Sequence, residues 1–261
     1  MRQEVIAIIL TAIVVASLTY LVTSLYLVSS QTSVVPMSTA QTQEVNKTSL
    51  KKLTPPNITG NNTIVVEVPA VDQKGNGVPA YIAVEIKPGK GRVLVDIGSI
   101  LSYYDTQNSA RVAVKVAENF TGKSLENYDV IFSFKAPAPV VEGGSAGAAM
   151  CAAVIALLED KKIRDDVMIT GTINMDGTIG PVAGILAKAK VAKDENKTTF
   201  LVPLGQSRQV EYKEKKSCYG HGNWEFCYTE YTPVEVNIGE KLGLNVTEVK
   251  TIEDVVKYML T

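Results

Sequence analysis

Short apolar runs separated by glycine, proline and polar residues dominate the chain beyond its first sixty positions. Runs rich in valine, isoleucine and phenylalanine that end at such turn residues predict β-strands. The predicted strands cover residues 64–69, 78–87, 91–97, 128–134, 166–173, 199–202 and 246–249.

Apolar residues at helical spacing predict helices between these strands. They cover residues 106–119, 145–158, 234–242 and 252–260, and a further helix carries Lys188. The helix over 145–158 is apolar nearly all round, so we expect it to be buried. Because strands and helices alternate irregularly, the predicted fold class is α+β.

A different pattern opens the chain, where residues 5–28 contain no charged side chain over 24 positions. At about 1.5 Å per residue, a helix of this length reaches roughly 36 Å, enough to cross a bilayer. We predict an uncleaved transmembrane anchor over 5–28, after a short tail at 1–4. A cleaved signal peptide, whose apolar region is normally shorter, is the alternative. Residues 29–62 are polar and predict a flexible stalk, which leaves 63–261 for the folded domain.

Two features predict that the folded domain lies outside the cytosol. The sequence holds six Asn-x-Thr sequons, where chance would give about two. Sequons accept glycans only outside the cytosol. A surface that is simply rich in Thr and Asn is the alternative explanation for their number. Cys218 and Cys227, within a polar insertion predicted over 207–232, are spaced for a disulfide, which needs an oxidising compartment. We therefore predict a single-pass cell-membrane glycoprotein. Its expected glycosylation sites are Asn46, Asn57, Asn61, Asn119, Asn196 and Asn245.

The charge balance and the few histidines and cysteines argue against several classes of function. The 26 basic and 27 acidic residues give a net charge of -1 with no basic cluster, so nucleic acid is not an expected partner. The single histidine, His221, lies in a polar loop, which argues against a Ser-His-Asp triad and a histidine-rich metal site. The Cys218–Cys227 pair is interpreted as structural, so no metal is predicted. Cys151 is interpreted as an inert core residue.

Candidate chemistry comes from a serine and a lysine. A serine hydroxyl needs a base to become a nucleophile, and without a suitable histidine that base must be a lysine with a lowered pKa. Lys190 and Lys193 fall on solvated faces of their predicted helix. Lys188 instead shares its face with small or apolar residues, namely Gly184, Ile185, Val191 and Ala192. A side chain that snorkels to solvent is the alternative interpretation of Lys188.

Ser145 lies where the apolar helix begins, directly after two glycines. Glycines allow close backbone approach to a substrate, and the first N–H groups of a helix are free to bind an oxyanion. The predicted oxyanion loop comprises Gly143, Gly144, Ser145 and Ala146. A simple helix N-cap is the alternative role for this serine.

Three stretches carry a resemblance to a known family. They are Val141-Glu-Gly-Gly-Ser-Ala-Gly147 followed by Ala-Ala-Met-Cys151, then Ile169-Thr-Gly171, and finally the segment from Gly177 to Lys188. These resemble the nucleophile motif, the Met-Thr-Gly strand and the lysine motif of the Lon protease proteolytic domain. The resemblance runs from residue 63 to the end of the chain, apart from 207–232, and implies the ribosomal protein S5 domain 2-like fold.

The resemblance also implies residue roles. Ser145 is the nucleophile, Lys188 the general base, and Thr170 a residue that orients the lysine amine. Glu142 stands where the family carries an acidic residue that contacts the lysine, with a solvated loop carboxylate as the alternative. The chain departs from the family where Ala183 replaces the first glycine of the lysine motif, and where Gly144 replaces a common Pro or Asp. Both changes could reshape the oxyanion loop, and neither removes a catalytic group.

The expected function is that of a serine endopeptidase with a Ser-Lys dyad that cleaves peptides or unfolded protein segments. No Gly-x4-Gly-Lys-Ser/Thr phosphate loop occurs in the sequence. We therefore expect ATP-independent cleavage and no cofactor. By analogy with the family, a homo-oligomeric ring is an open expectation. The alternatives are a non-catalytic surface glycoprotein that uses the fold for binding or assembly, and an intramembrane or signal-peptide-processing role.

Overall fold

The computed structural model describes residues 62–96, 98, 101–102, 104–137, 140–141, 143–221 and 224–261. The predicted tail, anchor and nearly all of the stalk lie outside these residues, as do the sequons at Asn46, Asn57 and Asn61 and the acidic candidate Glu142. None of the helices within the described ranges combines the length and the apolar character needed to cross a bilayer.

The described residues form a mixed α/β fold. In chain order the strands are β1 (Thr63–Val71), β2 (Gly77–Pro88), β3 (Val93–Asp96), β4 (Leu101–Ser102), β5 (Tyr128–Lys135), β6 (Val140–Val141), β7 (Val167–Ile169), β8 (Thr172–Ile173), β9 (Ile179–Gly180), β10 (Thr199–Pro203), β11 (Arg208–His221), β12 (Trp224–Asn237) and β13 (Asn245–Val249). The helices are α1 (Tyr104–Thr121), α2 (Gly147–Glu159), α3 (Ile185–Asp194), α4 (Ile238–Leu242) and α5 (Ile252–Met259).

Two sheets provide the framework. The larger has the order β1-β2-β5-β3, with antiparallel pairs except for the parallel pair of β3 and β5. The smaller has the order β13-β10-β7 and is parallel throughout. Strand β1 therefore forms one edge of the larger sheet, and this edge borders the cavity described below.

Helix α2 runs through the centre of the core. Its first ten residues, from Gly147 to Ala156, are all buried, and all but four of them are alanine or glycine. Small side chains let neighbouring elements approach closely, and α2 packs on α1, α5, β1, β2 and β8. The expectation of a buried helix here is met, although the prediction started it too early, because residues 144–146 form a separate 3₁₀ turn.

Two other predicted elements differ from the structure. The helix predicted over 234–242 is wrong in its first half, because Val234–Asn237 extend β12 and pair with Arg208–Glu211. Only Ile238–Leu242 is helical, with the Asn237 side chain accepting a hydrogen bond from the Glu240 N–H as the N-cap. The strand predicted over 166–173 is interrupted at Thr170 and Gly171, between β7 and β8.

The predicted insertion at 207–232 is a long β-hairpin. Strands β11 and β12 pair in antiparallel register from Arg208 opposite Asn237 to His221 opposite Trp224. They form a two-stranded sheet of their own. Most of the described side chains between Gln209 and Pro233 are exposed. This ribbon, called the hairpin from here on, therefore stands outside the core.

Candidate active site

Ser145 lies in the 3₁₀ turn that leads into α2 and is half-buried. Glycine is required directly before it for two different reasons. Gly143 has φ of 93°, in the left-handed region that favours glycine. At Gly144, an added Cβ would lie 2.7 Å from Ser109 Oγ. The two glycines therefore let the serine turn sit directly against α1.

Helix α1 holds this turn through two buried side chains. Thr106 Oγ1 donates a hydrogen bond to the Gly143 carbonyl at 3.2 Å, and Ser109 Oγ donates to the Gly144 carbonyl at 3.5 Å. Sequence reasoning missed both residues. Their positions could have identified them, because Thr106 and Ser109 are three positions apart on the apolar face of a predicted helix. Polar side chains that are buried there need hydrogen-bond partners.

The Ser145 backbone is also fixed from the side of β7 and β8. Its carbonyl accepts a hydrogen bond from the Gly171 N–H at 2.8 Å and one from Thr170 Oγ1 at 3.3 Å. The Gly171 carbonyl in turn accepts from the Ala148 N–H at 3.1 Å. Thr170 is thus buried beside Ser145, and its hydroxyl proton points to the serine backbone. The expected contact of Thr170 with the lysine amine is not among the contacts of the described residues.

Lys188 projects from α3 into the interior and is only 5% exposed. Burial disfavours the ammonium form and lowers the pKa of Lys188 to about 8. Within the described residues its amine has no hydrogen-bond or ion-pair partner. By contrast, Lys190 and Lys193 on the same helix are exposed, as their positions predicted. Lys188 is therefore the lysine on this helix best suited to being neutral near physiological pH.

The segment before α3 is held by a side chain that sequence reasoning did not single out. The Gln206 amide accepts a hydrogen bond from the Val182 N–H at 2.9 Å and donates one to the Val182 carbonyl at 2.8 Å. Gly184 then begins the helix with φ of 71°, and its carbonyl accepts the Lys188 N–H at 3.0 Å. These two hydrogen bonds between Gln206 and Val182, called the Gln206 clamp, join the segment after β10 to the turn before α3. The position of Lys188 depends on them.

Ser145 and Lys188 line the same cavity, whose volume is about 390 Å³. Gly143, Gly144 and Ala146 line it as well, together with Thr172. The remaining wall is mostly apolar and includes Val68, Val71, Val78, Ile82, Phe134 and Val182. Such a site can accept an apolar side chain beside the serine, and its mostly apolar wall disfavours the charged form of the Lys188 amine.

Comparison with known proteins identifies the family. The model of the Lon protease (S16) C-terminal proteolytic domain matches residues 59–216, more than half of the chain. The chain belongs to the Lon protease family. This membership, predicted from the motifs around Ser145 and Lys188, is confirmed and supports a serine protease function.

The similarity to individual Lon proteases covers about half of this chain. The archaeal Lon protease of Methanothermobacter thermautotrophicus is 28% identical over 144 residues, covering 54% of this chain and 22% of the relative. Lon protease 1 of Myxococcus xanthus is 31% identical over 134 residues, covering 48% and 16%. The archaeal Lon protease of Thermoplasma volcanium is 29% identical over 131 residues, covering 49% and 20%. The chain thus spans about a fifth of the length of these relatives.

The other predicted residues lie away from the cavity of this Lon domain. Cys151 is fully buried in α2, and burial raises the pKa of its thiol far above the usual range. Cys218 and Cys227 form a disulfide across the hairpin. Glu225 lies beside these cysteines, but bonded sulfurs offer no thiolate to a metal. The described sequons at Asn119, Asn196 and Asn245 are exposed.

Proposed function

We propose that this Lon-family chain is a serine endopeptidase in which Ser145 is the nucleophile and Lys188 the general base. One observation carries the proposal. A lysine whose pKa is lowered to about 8 lines the same apolar-walled cavity as a serine that stands at the start of a helix. A neutral amine in such a cavity can accept a proton, which an ordinary surface lysine cannot do near neutral pH.

The reaction follows from these positions. The neutral Lys188 amine takes the Ser145 hydroxyl proton while the oxygen attacks the peptide carbonyl carbon. In this proposal the N–H groups of the loop 143–146 stabilise the resulting oxyanion. The Lys188 ammonium then gives its proton to the leaving amine, which leaves an acyl group on Ser145. Water attacks this ester while Lys188 takes its proton. The Lys188 ammonium then returns that proton to the departing Ser145 oxygen, which releases the acid product and restores the neutral amine.

The decisive experiment compares variants of the purified chain on unfolded casein and on a short fluorogenic peptide. We expect Ser145→Ala and Lys188→Ala to lower kcat/KM by about 10³-fold or more, because each removes a group that acts in the chemical step. Lys190→Ala and Lys193→Ala are matched controls on the exposed face of α3 and should retain activity. Cleavage that survives Ser145→Ala would disprove the dyad. A wild-type chain that cleaves neither substrate would favour the non-catalytic binding module.

We further propose that cleavage needs no ATP and takes place outside the cytosol. These parts of the proposal rest on the sequence features, namely the missing phosphate loop, the sequons and the cysteine pair. We expect casein cleavage to be unchanged by ATP and magnesium. We also expect a glycan-dependent electrophoretic mobility that shifts by the mass of one glycan in Asn119→Gln. The homo-oligomeric ring remains a prediction, which sedimentation velocity of the purified chain would test.

A further inference from the structure

The hairpin has an aromatic surface that the proposed peptidase chemistry does not use. At about 3.4 Å per residue, its fourteen-residue strands project roughly 45 Å. Four aromatic side chains lie in its distal part, namely Tyr219, Trp224, Phe226 and Tyr228, with exposed fractions of 64%, 86%, 70% and 42%. This set is called the aromatic tip. Large exposed apolar groups that cluster in this way mark an interaction surface.

The strand register places the aromatic tip on one face. Tyr219 pairs with Phe226, and Tyr228 and Trp224 occupy the next positions with the same parity along β12. The Tyr219 and Tyr228 rings are stacked, with centroids 5.9 Å apart. The opposite face at this level carries the Cys218–Cys227 disulfide and Glu225. The distal hairpin is therefore amphipathic across its thickness.

Two lysines lie directly behind the aromatic tip on the same face. Lys213 and Lys215 share the parity of Tyr219 along β11 and are exposed, and Glu230 lies opposite Lys215, whereas Lys216 has the parity of Cys218 and lies on the other face. Neither Lys213 nor Lys215 forms an ion pair with another described residue. At a bilayer surface, aromatic rings lie at the boundary of the apolar layer, and lysines lie next to them at the anionic headgroups. The hairpin presents its side chains in the same order.

The shape of this surface favours a lipid partner over a protein. Protein and peptide sites are usually concave or flat and give their aromatic anchors a pocket. The aromatic tip lies on a narrow, protruding ribbon, and insertion into a lipid interface requires no complementary pocket. The same chain also holds 24 uncharged positions at residues 5–28. Residues 29–61 can bridge at most roughly 110 Å at about 3.4 Å per residue, which is more than the length of the hairpin.

We propose that the aromatic tip docks on the surface of a lipid bilayer, with Tyr219, Trp224, Phe226 and Tyr228 at the level of the headgroups and acyl chains. Lys213 and Lys215 then face the lipid phosphates, while Glu225 and the disulfide face water. Docking holds the folded domain against the bilayer at a second point. It is independent of the peptidase proposal, because no residue of the hairpin lies in the proposed dyad.

The test uses Trp224, which is the only tryptophan of the chain. The full chain is reconstituted in vesicles of phosphatidylcholine and phosphatidylglycerol, and its tryptophan emission is compared with that in detergent-free buffer. We expect emission at shorter wavelength, quenching by lipids brominated on their acyl chains, and about five-fold weaker quenching by aqueous iodide, because Trp224 leaves water. Any insertion of residues 5–28 cannot produce these signals, since that segment contains no tryptophan.

Two sets of variants assign the signal to the aromatic tip. The triple variant Tyr219→Ser, Phe226→Ser, Tyr228→Ser keeps the reporter, and we expect its emission to be the same in brominated and in non-brominated vesicles. The matched control is Tyr212→Ser with Tyr231→Ser, which removes exposed tyrosines nearer the base on the opposite face and should retain quenching. Circular dichroism and peptide cleavage verify that each variant is folded.

Three results would overturn the proposal. In the first, Trp224 stays accessible to iodide and insensitive to brominated lipid while the chain is in the vesicles. In the second, the emission shift occurs without lipid and depends on protein concentration, which identifies a second copy of the chain as the partner. In the third, the shift requires unfolded casein, which identifies a polypeptide as the occupant.

Discussion

At the scale of single residues, the proposed dyad predicts that the protonation of Lys188 sets the pH dependence of activity. The base must be neutral to act, and burial lowers its pKa to about 8. We expect kcat/KM for a short peptide to rise with pH and level off above an apparent pKa near 8. A stopped assay across the pH range in constant ionic strength measures this. A profile that keeps rising towards the ordinary lysine pKa of 10.5 would show that Lys188 is solvated.

The same lysine should destabilise the fold. Between pH 8 and 10.5 the unfolded chain binds the Lys188 proton and the folded chain does not, so stability rises with pH through this window. Below pH 8 the cost is present in full. We expect Lys188→Met to raise the free energy of unfolding at pH 7 by about 1–3 kcal/mol and to abolish cleavage.

Urea unfolding at pH 7 and near pH 10 would measure this difference, with Lys190→Met as the exposed control. The gain should shrink at the higher pH. A Lys188→Met variant that is less stable than the wild type at pH 7 would mean that the amine is well solvated or paired in the folded chain.

The residue scale also shows what a single sequence can and cannot reveal about a site. The burial of Lys188 followed from its helical face, since neighbours at helical spacing are a local property. The sequence did not identify Thr106 and Ser109 as part of the site, because their hydrogen-bond partners, the carbonyls of Gly143 and Gly144, are more than thirty positions away. Such a hydrogen bond has no periodic signature. Only the need of buried polar groups for partners points to it.

At the scale of elements, the turn before α3 depends on Gln206. Its amide makes both hydrogen bonds to the Val182 backbone, and Val182 lines the cavity together with Lys188. We expect Gln206→Leu to lower kcat/KM by about ten-fold and stability by about 1–2 kcal/mol, because the buried backbone groups lose their partners. Peptide kinetics and urea unfolding measure both quantities.

Gln209→Leu is the matched control for this variant. It removes the same type of side chain three positions further along, where the amide donates only to Glu211 on the hairpin. Equal losses of activity in the two variants would refute a specific role for the Gln206 clamp.

Element boundaries show why the helix over 234–242 was predicted wrongly. The residues Val234-Glu-Val-Asn237 alternate apolar and polar side chains, which fits a strand, yet they adjoin a short helical stretch. Pairing with Arg208–Glu211 decides between the two, and that pairing depends on a register established over the whole hairpin. Elements with strong internal periodicity, such as α1 and α5, were placed within one or two residues.

At the scale of the whole molecule, most of the hairpin lies outside the buried core, so we expect the two to unfold independently. We expect the double variant Cys218→Ser, Cys227→Ser to leave cooperative unfolding of the core almost unchanged, with a shift in Tm below about 2 °C, because the hairpin side chains lie outside the buried clusters. Backbone amides of 208–237 should exchange faster, since the bridge stabilises the ribbon locally by about 2–3 kcal/mol. Calorimetry and hydrogen exchange test the two statements, and a collapse of the core transition would contradict them.

Most of the architecture between residues 63 and 261 was predictable, because the motifs of the Lon family fix the serine turn, the lysine helix and the strand between them. The hairpin was predictable only as a polar insertion that contains two cysteines spaced for a disulfide. Its strands carry charged side chains on both faces near the base, so the alternation that marks a half-buried strand is absent. An unburied ribbon produces little of the pattern from which strands are predicted.

The enclosure of α2 has a consequence for how this protein can diversify. Ten successive positions from Gly147 to Ala156 are buried and mostly alanine or glycine, so a larger side chain at any of them should cost about 1–3 kcal/mol through overpacking. A saturation library would therefore find the helix after Ser145 nearly closed to change. New substrate preferences would have to arise from residues that line the cavity, such as those of the edge strand β1 and of the turn at 181–184. Evolution can then alter the wall of the cavity while the helix that follows the serine turn stays the same.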